Sequence, residues 1–315
     1  MSRLLSGRSL SGRALLGRVA SGRARLVLGA ATLVAVIAIL VVVRIDGSQS
    51  GSSARPVASD LTGRVRDFLA GQREGQPYRD PTGAERADAS AAFARVLDGS
   101  PGDFGAFGFG ATEDVDAETG RRYALYTSGS GDRAWGAILV DLSAPVRLAI
   151  EVPHPRTDIG TEWVGLDLFR KVPGSVVLFA GAHRRAGGGA ADVAHNEDSF
   201  FQALSVTLAE RAVPQIQVHG FADLNLPDAN AVVSTGNDNP NPLATRIATE
   251  LDSRDVTVCR AWERACGRLE GTTNVQGRAA AERGSVFVHV ELSNSVRADD
   301  VRRAAVVEAL ATAAQ

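Results

Sequence analysis

The sequence predicts a three-layer α/β domain with a mostly parallel mixed sheet, preceded by a single transmembrane helix. From residue 147 onward, strand-like apolar runs alternate with helical patterns, as is typical of a sheet covered by helices. Near the amino end, the 18 residues from Leu26 to Val43 are uncharged and almost wholly apolar. Between these regions, strand-like runs at 122–127 and 135–141 flank Ser-Gly-Ser-Gly-Asp, which predicts an antiparallel hairpin.

The elements after the hairpin follow from the period of the apolar residues, which is 2 in strands and about 3.6 in helices. They are strand 147–152, helix 161–171, strand 175–180, helix 197–212, strand 215–219, helix 242–253, strand 256–259, strand 285–291 and helix 298–313. Residues 61–110 are expected to form a segment of helices and loop, and residues 111–315 are expected to form the α/β domain.

The amino-terminal residues predict a membrane anchor. Residues 1–25 contain no acid and carry an arginine at every fifth position from Arg3 to Arg23, which indicates a basic, unfolded tail. As a helix, residues 26–43 would extend about 27 Å, enough to cross most of a bilayer about 30 Å thick. The arginines before this span place the tail in the cytoplasm and the remaining chain outside. Residues 44–60 are expected to be a flexible linker.

A cleaved signal peptide is the alternative interpretation of the apolar run. The apolar part of a signal peptide usually has about 7–15 residues and ends in a small-residue cleavage motif. Here the longer run is followed directly by Arg44-Ile45-Asp46. We therefore expect a single-pass protein of the cell membrane whose carboxyl-terminal domain is extracytoplasmic.

Charge and cysteine content narrow the class of protein. The net charge is -2, so no basic excess points to nucleic acid. Cys259 and Cys266 are the only cysteines, and in an oxidising compartment such a pair favours a disulfide. Thiolate ligands for zinc are the alternative, but the spacing is wider than usual for a zinc site.

Three predicted strands deliver a histidine or a carboxylate at their downstream ends. His154 follows strand 147–152, His219 ends strand 215–219, and Glu291 ends strand 285–291. Ligands and catalytic groups in open α/β sheets gather outside these carboxyl ends. Asp158 and Glu162 follow His154 closely, and two imidazoles with one carboxylate form a catalytic zinc shell. A further glutamate could serve as the base, so the sequence predicts a zinc hydrolase.

The local context of these residues leads to further expectations. Thr161 is expected to cap the following helix and to place Glu162 in its first turn. Gly220 is expected to let the backbone approach a ligand closely. Arg297 is a candidate partner for the carboxylate of Glu291.

Four short segments resemble a known superfamily. Val152-Pro-His154, Thr161-Glu162, Gln217-Val-His219-Gly and Val290-Glu291-Leu-Ser match, in order, the metal-ligand and catalytic stations of the zinc-dependent exopeptidase-like superfamily. N-acetylmuramoyl-L-alanine amidases and zinc carboxypeptidases share this fold, and the Val-Pro-His-Pro turn is similar to N-formylglutamate amidohydrolases. The resemblance covers roughly residues 145–315.

The resemblance implies a role for each matching residue. His154, Glu162 and His219 would bind Zn²⁺, and Glu291 would be the catalytic base. The interval between His154 and Glu162 is longer than in the carboxypeptidases and shorter than is typical of the amidases, so Asp158 stays an alternative carboxylate ligand. Arg184 or Arg297 would hold a carboxylate of the substrate.

The predicted function is therefore a membrane-anchored, extracytoplasmic, zinc-dependent hydrolase of an amide or peptide bond. A peptide, a muropeptide or an acyl-amino acid is the expected substrate. The alternative is a metal-free, degenerate member that acts as a binding or regulatory module of the cell envelope, because one fold can serve both functions.

Overall fold

One mixed sheet organises the residues that the structure, a computed structural model, describes: 60–236 and 239–315. Nine strands in this part of the chain lie in the order β1-β2-β3-β5-β4-β6-β9-β7-β8. Their bounds are β1 Phe109–Val115, β2 Arg122–Ser128, β3 Gly136–Asp141, β4 Leu148–Val152, β5 Ser175–Ala180, β6 Gln215–Phe221, β7 Ala231–Ser234, β8 Val258–Arg260 and β9 Phe287–Ser293.

The direction of the strands confirms a mixed α/β fold and corrects the expected share of parallel pairing. The central strands β5, β4, β6 and β9 run parallel, and β8 runs parallel to β7. However, four pairs are antiparallel, namely β1 with β2, β2 with β3, β3 with β5, and β7 with β9. The sheet is therefore evenly divided between the two kinds of pairing, because short turns join the first three strands and β7 enters in the reverse direction.

Helices cover both faces of the sheet. Their bounds are α1 Leu61–Ala70, α2 Gly83–Leu97, α3 Thr161–Lys171, α4 Phe200–Glu210, α5 Pro242–Asp252, α6 Val275–Glu282, α7 Asn294–Arg297 and α8 Asp300–Ala313. Helices α1, α3, α5 and α8 bury apolar residues in one core, and α2 and α4 bury theirs in a second core. The two cores and the sheet between them form three layers.

Along the central strands, the side chains on one face of the sheet are apolar and those on the other face are mostly polar. Ile150 and Val152 of β4, Ile216 and Val218 of β6, and Val288 and Val290 of β9 all lie in the core formed with α3, α5 and α8. The intervening side chains point to the opposite face and are mostly polar, namely Glu151, Gln217, His219, His289 and Glu291. This polar face lies beneath the candidate site.

Several elements follow the predicted bounds closely. Helix α3 and strand β5 occupy 161–171 and 175–180 as expected. Strands β1 and β7 and helix α6 were missed. Strand β1 is an edge strand with mostly exposed residues, so it lacks a buried alternation. Strand β7 has only four residues. Helix α6 is short and contains Gly277, a residue with a low helix propensity.

The predicted tail 1–25, the span 26–43 and the linker as far as residue 59 lie outside the described residues. Asp60, the last residue of the expected linker, is the N-cap of α1 and accepts a hydrogen bond from the backbone N–H of Gly63. None of the helices in residues 60–236 and 239–315 has the length and apolar character needed to cross a bilayer.

The disulfide predicted from the two cysteines is confirmed. Cys259 of β8 is bonded to Cys266, and the half-cystines pack with Phe221, Ala229 and Val232 in a small apolar cluster. The bond closes a loop at one wall of the cleft described below.

Replacing both cysteines, as Cys259→Ala with Cys266→Ala, is expected to lower the free energy of unfolding by about 2 kcal/mol, because the cross-link restricts the unfolded chain. Urea unfolding of the full chain under non-reducing conditions measures this difference. Equal stability of the variant and the unreduced wild type would contradict the expectation.

Candidate metal centre

Two imidazoles and one carboxylate converge where β4 and β6 end. Nδ1 of His154 and Nδ1 of His219 lie 3.4 Å and 3.5 Å from the same atom, Oδ2 of Asp158. All three side chains are buried, and their candidate ligand atoms lie within 4.8 Å of one another. The structure thus brings together the two histidines that the sequence singled out and the alternative carboxylate.

A tight turn after β4 places Asp158 beside His154. The backbone N–H groups of Thr157 and Asp158 both donate to the carbonyl of His154, which folds the chain back within four residues. Asp158 Oδ2 then accepts the backbone N–H of Gly220 at 3.2 Å. Because β4 and β6 are parallel neighbours, their carboxyl ends meet at one edge of the sheet, and this hydrogen bond ties the two loops together.

The second ring nitrogen of His154 is held by a carboxylate. Nε2 of His154 donates to Oδ1 of Asp192 at 2.8 Å, so Nδ1 is the nitrogen that faces Asp158. Asp192 also accepts hydrogen bonds from Arg184, at 2.6 and 3.2 Å, and from Nδ1 of His195 at 3.2 Å. A carboxylate behind a histidine is a common arrangement around metal ligands, because it fixes the ring and makes the ligating nitrogen more basic.

A buried chain of amides fixes the orientation of His219. The backbone carbonyl of Val193 can only accept, so Nε2 of Gln276 donates to it, at 2.8 Å, and Oε1 of Gln276 accepts from Nε2 of Gln217. The remaining oxygen of Gln217 therefore faces Nε2 of His219, at 2.6 Å, and that nitrogen must carry the proton.

Asn274 constrains the same oxygen from the other side. Its Oδ1 accepts the backbone N–H of Gly277, so its Nδ2 donates to Oε1 of Gln217 at 2.5 Å. Burial lowers the pKa of His219 to about 4, which keeps the ring neutral at pH 7. With Nε2 protonated, Nδ1 of the neutral ring offers its lone pair towards Asp158.

Two of the three interatomic distances within this group fit a zinc ion. In a tetrahedral shell with bonds of about 2.1 Å, the ligand atoms lie about 3.4 Å apart, which matches both measured distances. Nδ1 of His154 is buried and makes no hydrogen bond in the described part of the chain. Burial alone would raise the pKa of Asp158, but its contact with His154, whose own pKa is raised by the neighbouring carboxylates, brings the pKa of Asp158 below the usual range, so the carboxylate is ionised.

Glu162, the predicted carboxylate ligand, lies in the first turn of α3 but outside this group. Its Oε2 accepts the backbone N–H of Gly160 at 2.7 Å, and burial raises its pKa. The expected cap by Thr161 is wrong: the N-cap is Gly160, whose φ of 97° lies in the left-handed region, and Thr161 donates its hydroxyl to the carbonyl of Asp158. This turn directs Asp158, and not Glu162, towards the histidines.

Glu291 lies beside His219 in the pairing of β6 with β9. One of its oxygens, Oε2, is buried without a hydrogen-bond partner in the described chain. Burial, and then repulsion from Asp158, raise the pKa of Glu291 to about 8. A group with these properties is suited to accept and return a proton.

His289 lies two residues before Glu291, and its ring centroid is 4.5 Å from that of His219. His219, His289 and Glu291 form a second group with ligand-like spacing. However, Nε2 of His219 is committed to Gln217, so only Nδ1 is available, and that nitrogen cannot serve both groups at once. The group with Asp158 is the better centre, because it contains a carboxylate that is ionised at neutral pH.

The two predicted substrate-binding arginines have different surroundings. Arg184 lines the cleft at the metal centre, where its guanidinium contacts Asp192. Arg297 is buried and donates to the backbone carbonyls of Leu292, Phe221 and Ile159. Its expected roles towards a substrate and towards Glu291 do not fit this geometry, because the guanidinium is occupied by the protein's own backbone. Gly220 lines the cleft, and a Cβ at this position would lie 2.4 Å from the guanidinium carbon of Arg297, so the glycine also provides room for that side chain.

A cleft of about 830 Å³ opens over the centre. His154, Asp158, His219, His289 and Glu291 lie among its lining residues, as do residues 265–269 of the disulfide-bonded region and residues 271–274 that follow them. His195 also lines the cleft, whereas His183 is not one of the lining residues and accepts the backbone N–H of Arg185.

Sequence reasoning missed the residues that support the ligands. Gln217 had a signal, since it is a polar residue on one face of an apolar strand, as are Glu151 and Gln215. Asp192 follows a run of glycines and alanines, and its only signal was the nearby His195. Its contact with His154 spans 38 residues and depends on the folded path of the loop.

Among known proteins, this chain is similar to several solved structures, at low sequence identity. No protein-family model matches the chain, and no curated protein matches its sequence. Among solved structures, it is similar to a bacteriophage poly-gamma-glutamate hydrolase, with 17% identity, a TM-score of 0.40 and coverage of 56% of this chain and 86% of the other. A metallo-carboxypeptidase from Burkholderia cenocepacia has 15% identity, a TM-score of 0.38 and coverage of 75% and 69%.

An N-formylglutamate amidohydrolase from Ralstonia eutropha JMP134 has 11% identity, a TM-score of 0.33 and coverage of 54% and 91%. The sequence resemblance named zinc carboxypeptidases and N-formylglutamate amidohydrolases, and it did not name a poly-gamma-glutamate hydrolase. At such identities and TM-scores the matches add no argument about activity, so the function is argued below from the geometry of the site.

The identity of the carboxylate ligand can be tested with a matched pair of variants. Asp158→Asn is expected to weaken zinc binding by at least about 10-fold, because it removes the only charged oxygen of the group. Glu162→Gln is expected to bind zinc like the wild type, because its amide oxygen can still accept the N–H of Gly160. Zinc titration against a competing chelator measures both affinities. Loss of zinc in Glu162→Gln with retention in Asp158→Asn would reverse the assignment.

Proposed function

We propose that this protein is a zinc-dependent hydrolase that cleaves an amide or peptide bond. The observation that carries the proposal is the position of two imidazole Nδ1 atoms at 3.4 and 3.5 Å from one ionised carboxylate oxygen. His154, Asp158 and His219 would hold the ion, which leaves a further position for water or substrate. Asp158 takes the place that the sequence had given to Glu162.

When bound, zinc supplies Lewis-acid polarisation of the scissile carbonyl and lowers the pKa of water towards neutrality. The protein's own residues supply the orientation. Asp192 and Gln217 hold the outer nitrogens of the two histidines, so both rings keep Nδ1 directed at the centre. Fixed ligand orientation limits the reorganisation needed during the reaction.

Glu291 is the general base in this proposal. It takes a proton from the attacking water and returns it to the leaving amine. Its raised pKa of about 8 reflects burial and the negative charge of Asp158. A cation held by Asp158 would offset that repulsion and would favour the ionised form of Glu291, the form that accepts a proton.

The proposed substrates are peptides, muropeptides or acyl-amino acids. The cleft of about 830 Å³ is lined by several side chains beyond the metal centre, and these include hydrogen-bonding groups such as Asn225, Thr272 and Thr273. Such groups suit a substrate with several amide and carboxyl groups better than an apolar one.

We also propose that the hydrolase domain is extracytoplasmic and held at the cell membrane by residues 26–43. The apolar length of that run and the arginines before it support this location. The disulfide is consistent with an oxidising compartment.

The proposed chemistry predicts different effects of two substitutions on zinc content and on turnover. His219→Ala is expected to lose most of the bound zinc, because one of three ligands is removed. Glu291→Gln is expected to keep zinc and to lose about 10²–10⁴-fold in turnover, because a base contributes to the rate without holding the ion. Elemental analysis and hydrolysis of a panel of muropeptides and acyl-amino acids measure these effects.

Wild-type protein that carries no stoichiometric zinc after gentle purification, and takes none up from solution, would refute the hydrolase proposal. The metal-free envelope binding module would then be the better description. If Glu291→Gln hydrolysed the muropeptides and acyl-amino acids at the wild-type rate, Glu291 would not be the general base.

The proposed topology has its own test. Protease added to intact spheroplasts is expected to digest the domain beyond residue 44 and to leave the amino end intact, because only the former is exposed outside the membrane. Immunoblotting with tags at each end measures both. A domain that resists digestion until the cells are lysed would contradict the location.

A further inference from the structure

The charged side chains of the cleft are unevenly distributed. Asp158 and Glu291 are the acids that line it among the described residues, and both belong to the proposed metal centre. The lining residues with a permanent positive charge are Arg184, which lies at that centre, and Arg268. Among the residues that line the cleft away from the centre, Arg268 is therefore the one with a permanent charge.

The two arginines differ in how far their charge is compensated. Arg184 donates two hydrogen bonds to Oδ2 of Asp192, so its charge is largely offset within the protein. Arg268 is exposed and forms no ion pair or hydrogen bond with the described residues. It is the uncompensated cation of the cleft, and its guanidinium is free to bind an anion.

The segment that carries Arg268 is fixed on several sides. Cys266 is bonded to Cys259, and its backbone N–H donates to Oε1 of Glu270 at 2.6 Å. The hydroxyl of Ser234 donates to the carbonyl of Glu270 at 2.7 Å. These contacts hold the backbone on both sides of Arg268 and reduce the conformational entropy that binding would cost.

Gly271 connects the segment that carries Arg268 to the residues near the metal centre. Its φ is 65°, and a Cβ there would lie 2.8 Å from ring atoms of His289. The backbone after Arg268 thus packs directly on a residue that lines the floor of the cleft. The segment that follows the disulfide therefore contacts β9, the strand that also carries Glu291.

We propose that Arg268 is a specificity-determining residue that binds a carboxylate of the substrate, so that the enzyme prefers acidic peptides or acyl-amino acids. This inference rests on the proposed function for the presence of an amide substrate in the cleft. A planar guanidinium pairs with a carboxylate through two parallel hydrogen bonds, which makes it selective for that group over a carboxamide.

Binding to the metal-free full-length chain tests the inference separately from zinc and turnover. The probes are acetyl-alanyl-glutamate and acetyl-alanyl-glutamine amide, which differ only in having carboxylates or carboxamides. We expect the acidic peptide to bind about 10-fold more tightly in titration calorimetry at low salt, and the difference to shrink as salt is added.

A matched pair of variants assigns the preference to one residue. Arg268→Gln is expected to remove the preference for the acidic peptide. Arg264→Gln is the control, because Arg264 lies four residues before Arg268, inside the loop that the Cys259–Cys266 disulfide closes. It pairs with Asp228 at 3.0 Å and is not among the residues that line the cleft. The control is expected to keep the wild-type preference, although it loses the same formal charge.

Equal or undetectable binding of the two peptides by the wild type would overturn the inference, as would an equal loss of preference in both variants. These outcomes are distinct from a failure of the proposed function. A chain that takes up no zinc but prefers the acidic peptide through Arg268 would refute hydrolysis and leave the carboxylate site standing.

Discussion

The guanidinium of Arg297 holds together the three loops on which the candidate site is built. It donates to the backbone carbonyls of Ile159, Phe221 and Leu292, which belong to the loop after β4 and to the ends of β6 and β9. The ligands of the first two segments and the base of the third therefore keep a common frame. A lost donor would leave buried carbonyls unsatisfied, at a cost of about 1–3 kcal/mol each.

This interaction also explains the two glycines beside the ligands. A side chain at Gly160 or Gly220 would collide with Arg297, and Gly160 additionally adopts a left-handed conformation. The glycines let a large cation approach the backbone, and the turn at Gly160 directs Asp158 towards His154. The geometry of the ligands thus depends on residues that do not contact the proposed ion.

Beneath the centre, polar side chains on one face of the sheet also fix the orientation of a proposed ligand, His219. Gln217 links His219 to the fully buried Glu151, whose pKa burial raises to about 7. A buried polar network is costly unless its members are satisfied, but when satisfied it fixes a single arrangement. Here the network leaves His219 with one available nitrogen, so that His219 can join the group with Asp158 or the group with His289 and Glu291, but not both.

The sequence by itself determined the alternation of strands and helices, the disulfide, and the placement of His154, His219 and Glu291 at strand ends. These features follow from local periods and from spacings along the chain. It could not determine that Asp158 would join the histidines, that Arg297 would be buried against backbone carbonyls, or that Asp192 would support His154. The paths of the loops decide these contacts, and those paths are set by hydrogen bonds between residues far apart in sequence, which no local pattern records.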